Sequence, residues 1–250
     1  MMKVRLIGKN LDDIRPLLSR FGLQEAGEQE MPELVIAHGG DGSFLQSEQL
    51  YPGIAKLPIR DERTAPRCTE HTTGALLEKF CSGKGKLVIL PKIAASCNGR
   101  ILTGINDVFL HNQDRVSALR YRVRIDGELY ANEVVGDGVG LATVHGSTAY
   151  YRSITHSIFR VGIGLAFSNT TEEVSHLVLD AASRVSIEIV RGPGILMADN
   201  AAETIKVNDG DTAEFYLSKE AVPVYLLDEF MCSKCRFLRH PNKLPFKGYF

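Results

Sequence analysis

The chain has 250 residues, 44% of them hydrophobic, and 29 basic against 30 acidic side chains leave a formal net charge of −1. Such a length supports a sizeable core in one large domain or two smaller ones, and the balanced charge excludes a global field that would draw in nucleic acid or an anionic membrane. No run of about 18 apolar residues occurs, so no helical membrane span is expected. Charges break up MMKVRLIGKN within a few residues, which reads as a first strand rather than a signal peptide and makes the cytoplasm the expected compartment.

In chain order, KVRLIG (3–8) reads as a strand, and LDDIRPLLSRF (11–21), closed by Gly22, has the apolar spacing of a helix. ELVIA (33–37) is a short apolar run fit for a buried parallel strand; the glycine-rich HGGDG follows it, and SFLQSEQL (43–50) reads as the next helix. KLPIR (56–60), TTGALLEKF (72–80) and KLVILPKI (86–93) continue the alternation, which predicts an α/β domain with a mostly parallel sheet. From Ala94 onward strand follows strand, from RILTGINDVFLH to VPVYLLD, with only HGSTAYYRSI (145–154) helix-like. The expectation is an α/β domain over 1–94 and an all-β domain over 95–228. The tail, 229–250, is basic and aromatic without periodicity and is expected to pack back on a domain.

Five cysteines, Cys68, Cys81, Cys97, Cys232 and Cys235, are an odd number that argues for reduced thiols rather than a disulfide framework. Cys232 and Cys235 form a C-x-x-C. A structural zinc would need two more ligands, and His240, the nearest candidate, leaves the set incomplete, so no metal ligand set is assigned.

The glycine loop is the first candidate for chemistry. Gly39, Gly40 and Gly42 leave a strand end with little side chain, so a tight turn with a helix cap and a phosphate-binding loop are both compatible with it. Its place at the carboxyl edge of a parallel sheet favours ligand binding. Neither G-x-G-x-x-G nor G-x-x-x-x-G-K-[ST] is present. Asp41 is the loop's only charge, and a carboxylate beside backbone N–H donors suits phosphoryl transfer, where it orients or deprotonates the attacking hydroxyl or helps hold Mg²⁺. Asn106-Asp107, inside an apolar strand pattern, is either a bulge or turn or a polar pair with partners. In GDGVGLATVHGSTAYYRS (136–153) Ser147 or Thr148 could cap a short helix, which leaves Asp137 unexplained.

These stretches together resemble the NAD kinase family. That family carries GGDG followed by a hydroxyl residue and an apolar pair, then an Asn-Glu pair, then a DGxxxxTPxGSTAYxxS block; here they read GGDGSFL (39–45), Asn106-Asp107 and DGVGLATVHGSTAYYRS (137–153). ILMADN (195–200) and VNDGDTAEFYLSKEAVPVYLL resemble its C-terminal strands more faintly. The resemblance implies an α/β domain followed by a β-sandwich, with the tail returning to the first domain, and 2′-phosphorylation of NAD with ATP or polyphosphate and Mg²⁺. It implies that Asp41 engages the 2′-hydroxyl of the adenosine ribose and that Gly39, Gly40, Gly42 and Ser43 form the phosphate loop. Asn106 and Asp107 would contact the ribose and adenine region; Thr148, Ala149 and Tyr150 would line the adenine pocket, and Asp137 and Ser153 would contact a dinucleotide. A homodimer or homotetramer is implied too.

Three departures stand out. Asp107 replaces the usual Glu and is one methylene shorter, so its hydrogen bond would need a shifted backbone or a water. His145 replaces Pro. The family's Asn-x-Gly-x-Leu-Gly-Phe segment is replaced by RDERTAPRC (60–68), which reads as a solvated charged loop or as a sign of an altered pocket. With it stay two other readings: a kinase of a sugar, lipid or nucleoside-like acceptor, and a dinucleotide-binding regulator without catalysis.

Overall fold

The structure is a computed structural model that describes residues 1–114 and 116–240. Two compact units make up the chain, one of Met1–Ile89 with the chain from Val222 onward, the other of Leu90–Ala221. Residues 241–250 of the expected tail lie outside the described residues.

The first unit starts with β1 (Met2–Gly8), α1 (Arg15–Leu18), β2 (Leu23–Glu25), β3 (Leu34–His38), α2 (Asp41–Leu50), β4 (Ala55–Ile59) and α3 (Thr73–Cys81). β2, β1, β3 and β4 lie side by side in that order, all parallel, so the short, fully buried LVIAH run of β3 sits centrally, as its lack of polar alternation requires. The helix expected over 11–21 is broken into tight turns at Leu11–Asp13 and Ser19–Phe21 around the single turn of α1. Pro16 has no N–H to continue a helix, so it sits near the start of that turn. α2 is fixed from beneath by a buried ion pair, in which Lys56 Nζ on β4 donates to Glu48 Oε2 at 2.7 Å and to the Tyr51 carbonyl at 2.7 Å.

The second unit holds β5 (Leu87–Cys97), β6 (Arg100–Gly104), β7 (Asp107–Asn112), β8 (Leu119–Ile125), β9 (Glu128–Gly136), β10 (Gly138–Ala142), α4 (Tyr150–Thr155), β11 (Ile163–Ser168), β12 (Leu177–Leu179), β13 (Val185–Arg191), β14 (Gly194–Ala198), β15 (Thr204–Val207) and most of β16 (Thr212–Tyr225). KLVILPKI does not join the parallel set of β2, β1, β3 and β4: it forms the start of β5, which pairs with β16 and, antiparallel from Ile93 onward, with β6. One antiparallel sheet has the order β12-β11-β10-β7-β14-β15, and β16, β13, β8 and β9 pair antiparallel with one another in that order. Val108, Leu110, Val139, Leu141 and Leu165 from the first meet Tyr121, Val123, Ile187, Ala213 and Phe215 from the second in one core. That is a β-sandwich with apolar inner faces. After β16, α5 (Leu227–Phe230) and α6 (Ser233–Arg239) belong to the first unit. Among the described residues no helix is long and apolar enough to cross a membrane.

Candidate active site

In the first unit, three turns meet at the carboxyl ends of parallel strands. After β1 comes Gly8-Lys9-Asn10, after β3 His38-Gly39-Gly40-Asp41, after β4 Arg60-Asp61. Backbone bonds tie them: Lys9 N–H donates to His38 O (2.9 Å), Gly39 N–H to Ile59 O (2.8 Å) and Asp61 N–H to Gly39 O (3.4 Å). The buried His38 ring adds a bond between Nδ1 and the Lys9 carbonyl at 2.6 Å. Gly39 has φ of +146°, and a Cβ there would collide with the Ser43 side chain, so this position needs glycine on two counts. Gly40 is the N-cap of α2 and Asp41 its first residue, which places Gly40, Asp41 and Gly42 at the N-terminus of a ten-residue helix, whose amide dipoles favour an anion. Ser43 is buried behind the loop.

Asp41 points outward, its side chain 64% exposed, and Arg60 grips it: Nη2 donates to Oδ1 at 2.9 Å and Nη1 reaches Oδ2 at 3.5 Å. Arg60 is itself only 8% exposed. Its guanidinium lies 3.9 Å from the centroid of the Phe230 ring, and its Nε donates to the Phe230 carbonyl at 3.3 Å. Asp61 is also buried and accepts from Asn10 Nδ2 (2.8 Å), the Arg63 N–H (3.0 Å) and the Thr64 hydroxyl (3.2 Å). Burial pushes its pKa up, and those hydrogen bonds outweigh burial and hold it below the ordinary value. The reading of RDERTAPRC as a solvated loop is thus corrected: Arg60, Asp61 and Ala65 are buried, because the arginine has a carboxylate, a carbonyl and a ring to pair with. Arg63, paired with Asp13, stays exposed.

In the second unit the structure brings three stretches together. Asn106 lies in the bend between β6 and β7, which agrees with the turn reading, and Asp107 starts β7. Thr143 fastens the GSTAY loop to this bend: its N–H donates to Asn106 O (2.8 Å), its hydroxyl to Ile105 O (2.7 Å), and the Gly146 N–H in turn donates to that hydroxyl (3.0 Å). A Cβ on Gly146 would collide with the Asn106 backbone. Asp199, in the left-handed region at φ of +48°, accepts the N–H groups of Ile105 (2.7 Å), Asn106 (2.8 Å) and Asp107 (3.2 Å). Asp199 is a residue that the sequence reading left out of the site; its signal was a carboxylate closing the apolar run ILMA.

Asp107 is 8% exposed. Burial, and then the neighbouring Asp199 charge, push its carboxyl up to about 8, so it is protonated at neutral pH. Burial raises Asp199 as well, against the pull of its three N–H donors. Those donors favour the charged form of Asp199.

The hydroxyls of GSTAY do not cap a helix, contrary to that sequence reading. Ser147 donates to the Val144 carbonyl (2.8 Å) and Thr148 to the His145 carbonyl (3.3 Å), because a tight turn, Gly146–Thr148, leaves those carbonyls in reach. Thr148 and Ala149 are half-buried, and Ser153 is exposed on α4. Tyr150 stands edge-on to Phe109 at 4.8 Å, beside His111 at 5.5 Å; the last two project from the same face of β7. Asp137, between β9 and β10, accepts from Asn169 Nδ2 at 2.8 Å and sits 3.5 Å from Asn112 Nδ2.

Comparison with known proteins gives these features a family. No family model matches the chain. An NAD kinase of Caulobacter vibrioides is 31% identical over 200 residues, which cover 74% of this chain and 74% of that protein. The chain belongs to the NAD kinase family. An NAD kinase of Clostridium kluyveri is 28% identical over 224 residues, covering 80% and 78% of the two chains. Among solved structures, a yeast NADH kinase complexed with NADH has a TM-score of 0.76 at 18% identity, covering 100% of this chain and 89% of that one. An NAD kinase from Archaeoglobus fulgidus in complex with ATP has a TM-score of 0.75 at 17% identity, covering 94% and 99%. The NAD kinase fold is thus present over the described chain.

Proposed function

We propose that the protein phosphorylates the 2′-hydroxyl of the adenosine ribose of NAD, with ATP or polyphosphate as donor. One observation carries the reading: Asp41 stands open to solvent on the first turn of α2, directly after the two glycines whose backbone turns at the carboxyl edge of the sheet. The amides around Gly39, Gly40 and Gly42 face the donor phosphates, Ser43 holds the loop from behind, and Asp41 accepts the proton as the hydroxyl oxygen bonds to the terminal phosphorus and the shortened donor leaves. A magnesium ion held by one or two carboxylates plus substrate phosphates needs no protein cage, and the single exposed carboxylate of Asp41 fits an ion of that kind arriving with the triphosphate. Its chemistry would be to neutralise charge on the transferring group.

Asn106 and Asp107 meet the ribose and adenine region, and Thr148, Ala149 and Tyr150 receive the adenine. The Phe109, His111 and Tyr150 ring cluster supports that assignment, since an aromatic surface with a half-exposed edge suits a planar base. A protonated Asp107 offers a hydrogen-bond donor as well as an acceptor. Asp137 and Ser153 take further contacts to a dinucleotide. The family resemblance supports a homodimer or homotetramer in the cytoplasm. The test is to incubate the purified chain with NAD, Mg²⁺ and either ATP or polyphosphate and to follow NADP with an NADP-specific dehydrogenase. NADP is expected with at least one donor; none with either, from folded protein, overturns the reading.

A further inference from the structure

The thiols Cys232 and Cys235 are not an isolated pair. The fold of the first unit brings Cys68 and His71 to them, and one ligand atom from each of the four residues lies within 4.8 Å of every other. Cys68 Sγ is 3.2 Å from His71 Nδ1 and 3.4 Å from Cys235 Sγ, and Cys235 Sγ is 3.5 Å from His71 Nδ1. A disulfide is absent, since a bonded pair of sulfurs stands about 2.05 Å apart. A zinc tetrahedron with Zn–S of about 2.3 Å and Zn–N of about 2.0–2.1 Å has S···S edges of about 3.8 Å and S···N edges of about 3.6 Å. The three edges among Cys68, His71 and Cys235 fall up to a few tenths of an ångström short of that and those to Cys232 lie within 4.8 Å, so an ion at the centre asks for small adjustments of these side chains.

We propose that Cys68, His71, Cys232 and Cys235 bind one structural zinc ion. Three thiolates and an imidazole nitrogen are a soft donor set that suits zinc over magnesium or calcium. The spacings, C-x-x-H and C-x-x-C, put two ligands on each of two short turns, the first at Thr69–His71 and the second at the start of α6. All four positions are filled by protein, which makes the site closed and structural rather than catalytic. Loading replaces the thiol protons by the metal and leaves a net negative centre. The surroundings answer that charge. The Cys68 N–H donates to Cys235 Sγ at 3.5 Å, and Arg67, near enough to Cys235 to feel its charge, donates from Nη1 to the His71 carbonyl at 2.7 Å. Arg67 Nε and Nη2 are buried with no hydrogen-bond partner among the described residues, and thiolates at the site would add to the Glu62 charge that already faces this guanidinium. The metal then joins the segment that begins with Arg60, which pairs with Asp41, to the helix that follows Phe230, which holds the Arg60 guanidinium.

Metal content of the purified full chain, expressed with zinc in the medium, tests this by mass spectrometry. About one zinc per chain is expected, released by a thiol-blocking mercurial. Cys235→Ser should drop it below about a tenth, while Cys81→Ser, at an exposed thiol, should keep it. Should Cys235→Ser fail to fold, cobalt exchanged into the wild-type chain decides: intense tetrahedral d–d and thiolate charge-transfer bands support the site. Substoichiometric zinc, an octahedral cobalt spectrum, or a native mass two daltons low from a Cys68–Cys235 disulfide overturns it. None of these readings depends on kinase activity.

Discussion

Asp41 and Asp107 are two aspartates in opposite settings. Asp41 is largely exposed, so replacing it by Asn leaves the packing untouched, and the new side chain still accepts from Arg60 Nη2. Asp41→Asn is expected to lower kcat for NADP formation by about 10²–10⁴-fold, the usual range for a lost general base, while the melting temperature falls by no more than a few degrees, because the Asn oxygen still accepts from the buried Arg60, whose guanidinium keeps the Phe230 ring and carbonyl as partners. Steady-state kinetics beside a thermal melt checks both. Asp107 works through the proton it keeps. In the unfolded chain it ionises near the ordinary value of about 4, whereas in the folded chain it holds its proton to about 8. The folded state therefore binds more protons between these values, and the stability that this confers, complete below about pH 4, is lost as pH rises through about 8. Asp107→Asn removes that slope, at most about 1.4 kcal/mol per pH unit. Urea titrations at pH 5 and pH 8 should show a smaller drop in midpoint for the variant than for the wild type.

At the scale of elements, the two motif stretches of the second unit are held in register by contacts that glycine alone permits. Gly146→Ala would drive a methyl group into the Asn106 backbone, and neither partner can rotate away. A loss of about 3 kcal/mol or more is expected, the range of severe steric substitutions, together with a raised KM for NAD; chemical denaturation and NAD titration of the rate read the two effects. The elements that were legible from sequence had a local cause. β3 announced itself by an unbroken apolar run and α2 by the glycines before it. Those that were not legible depend on partners far along the chain. β5 looked like another parallel strand until its pairing with β6 was known, and 11–21 looked like one helix because apolar spacing survives a break at Pro16. Arg60 gave no sign of burial, since its ring and its carbonyl come from Phe230, 170 positions away. Cys68 and His71 were likewise silent: the C-x-x-C was visible, but its complement lies more than 160 residues earlier.

Across the whole molecule, the fold class and the family were readable because the motifs occur in one order, and ordered spacing survives where identity falls to 31%. The charge of the molecule was less readable. Counting every carboxylate as ionised gives −1, yet a buried Asp107 that titrates near 8 carries no charge at pH 7. Exchanging it for asparagine then swaps one neutral group for another. On native isoelectric focusing below pH 8, wild type and Asp107→Asn should migrate together, whereas in concentrated urea, where the carboxylate is free to ionise, they should separate by one full charge. A variant that already focuses apart in the native gel would mean that Asp107 is ionised in the fold.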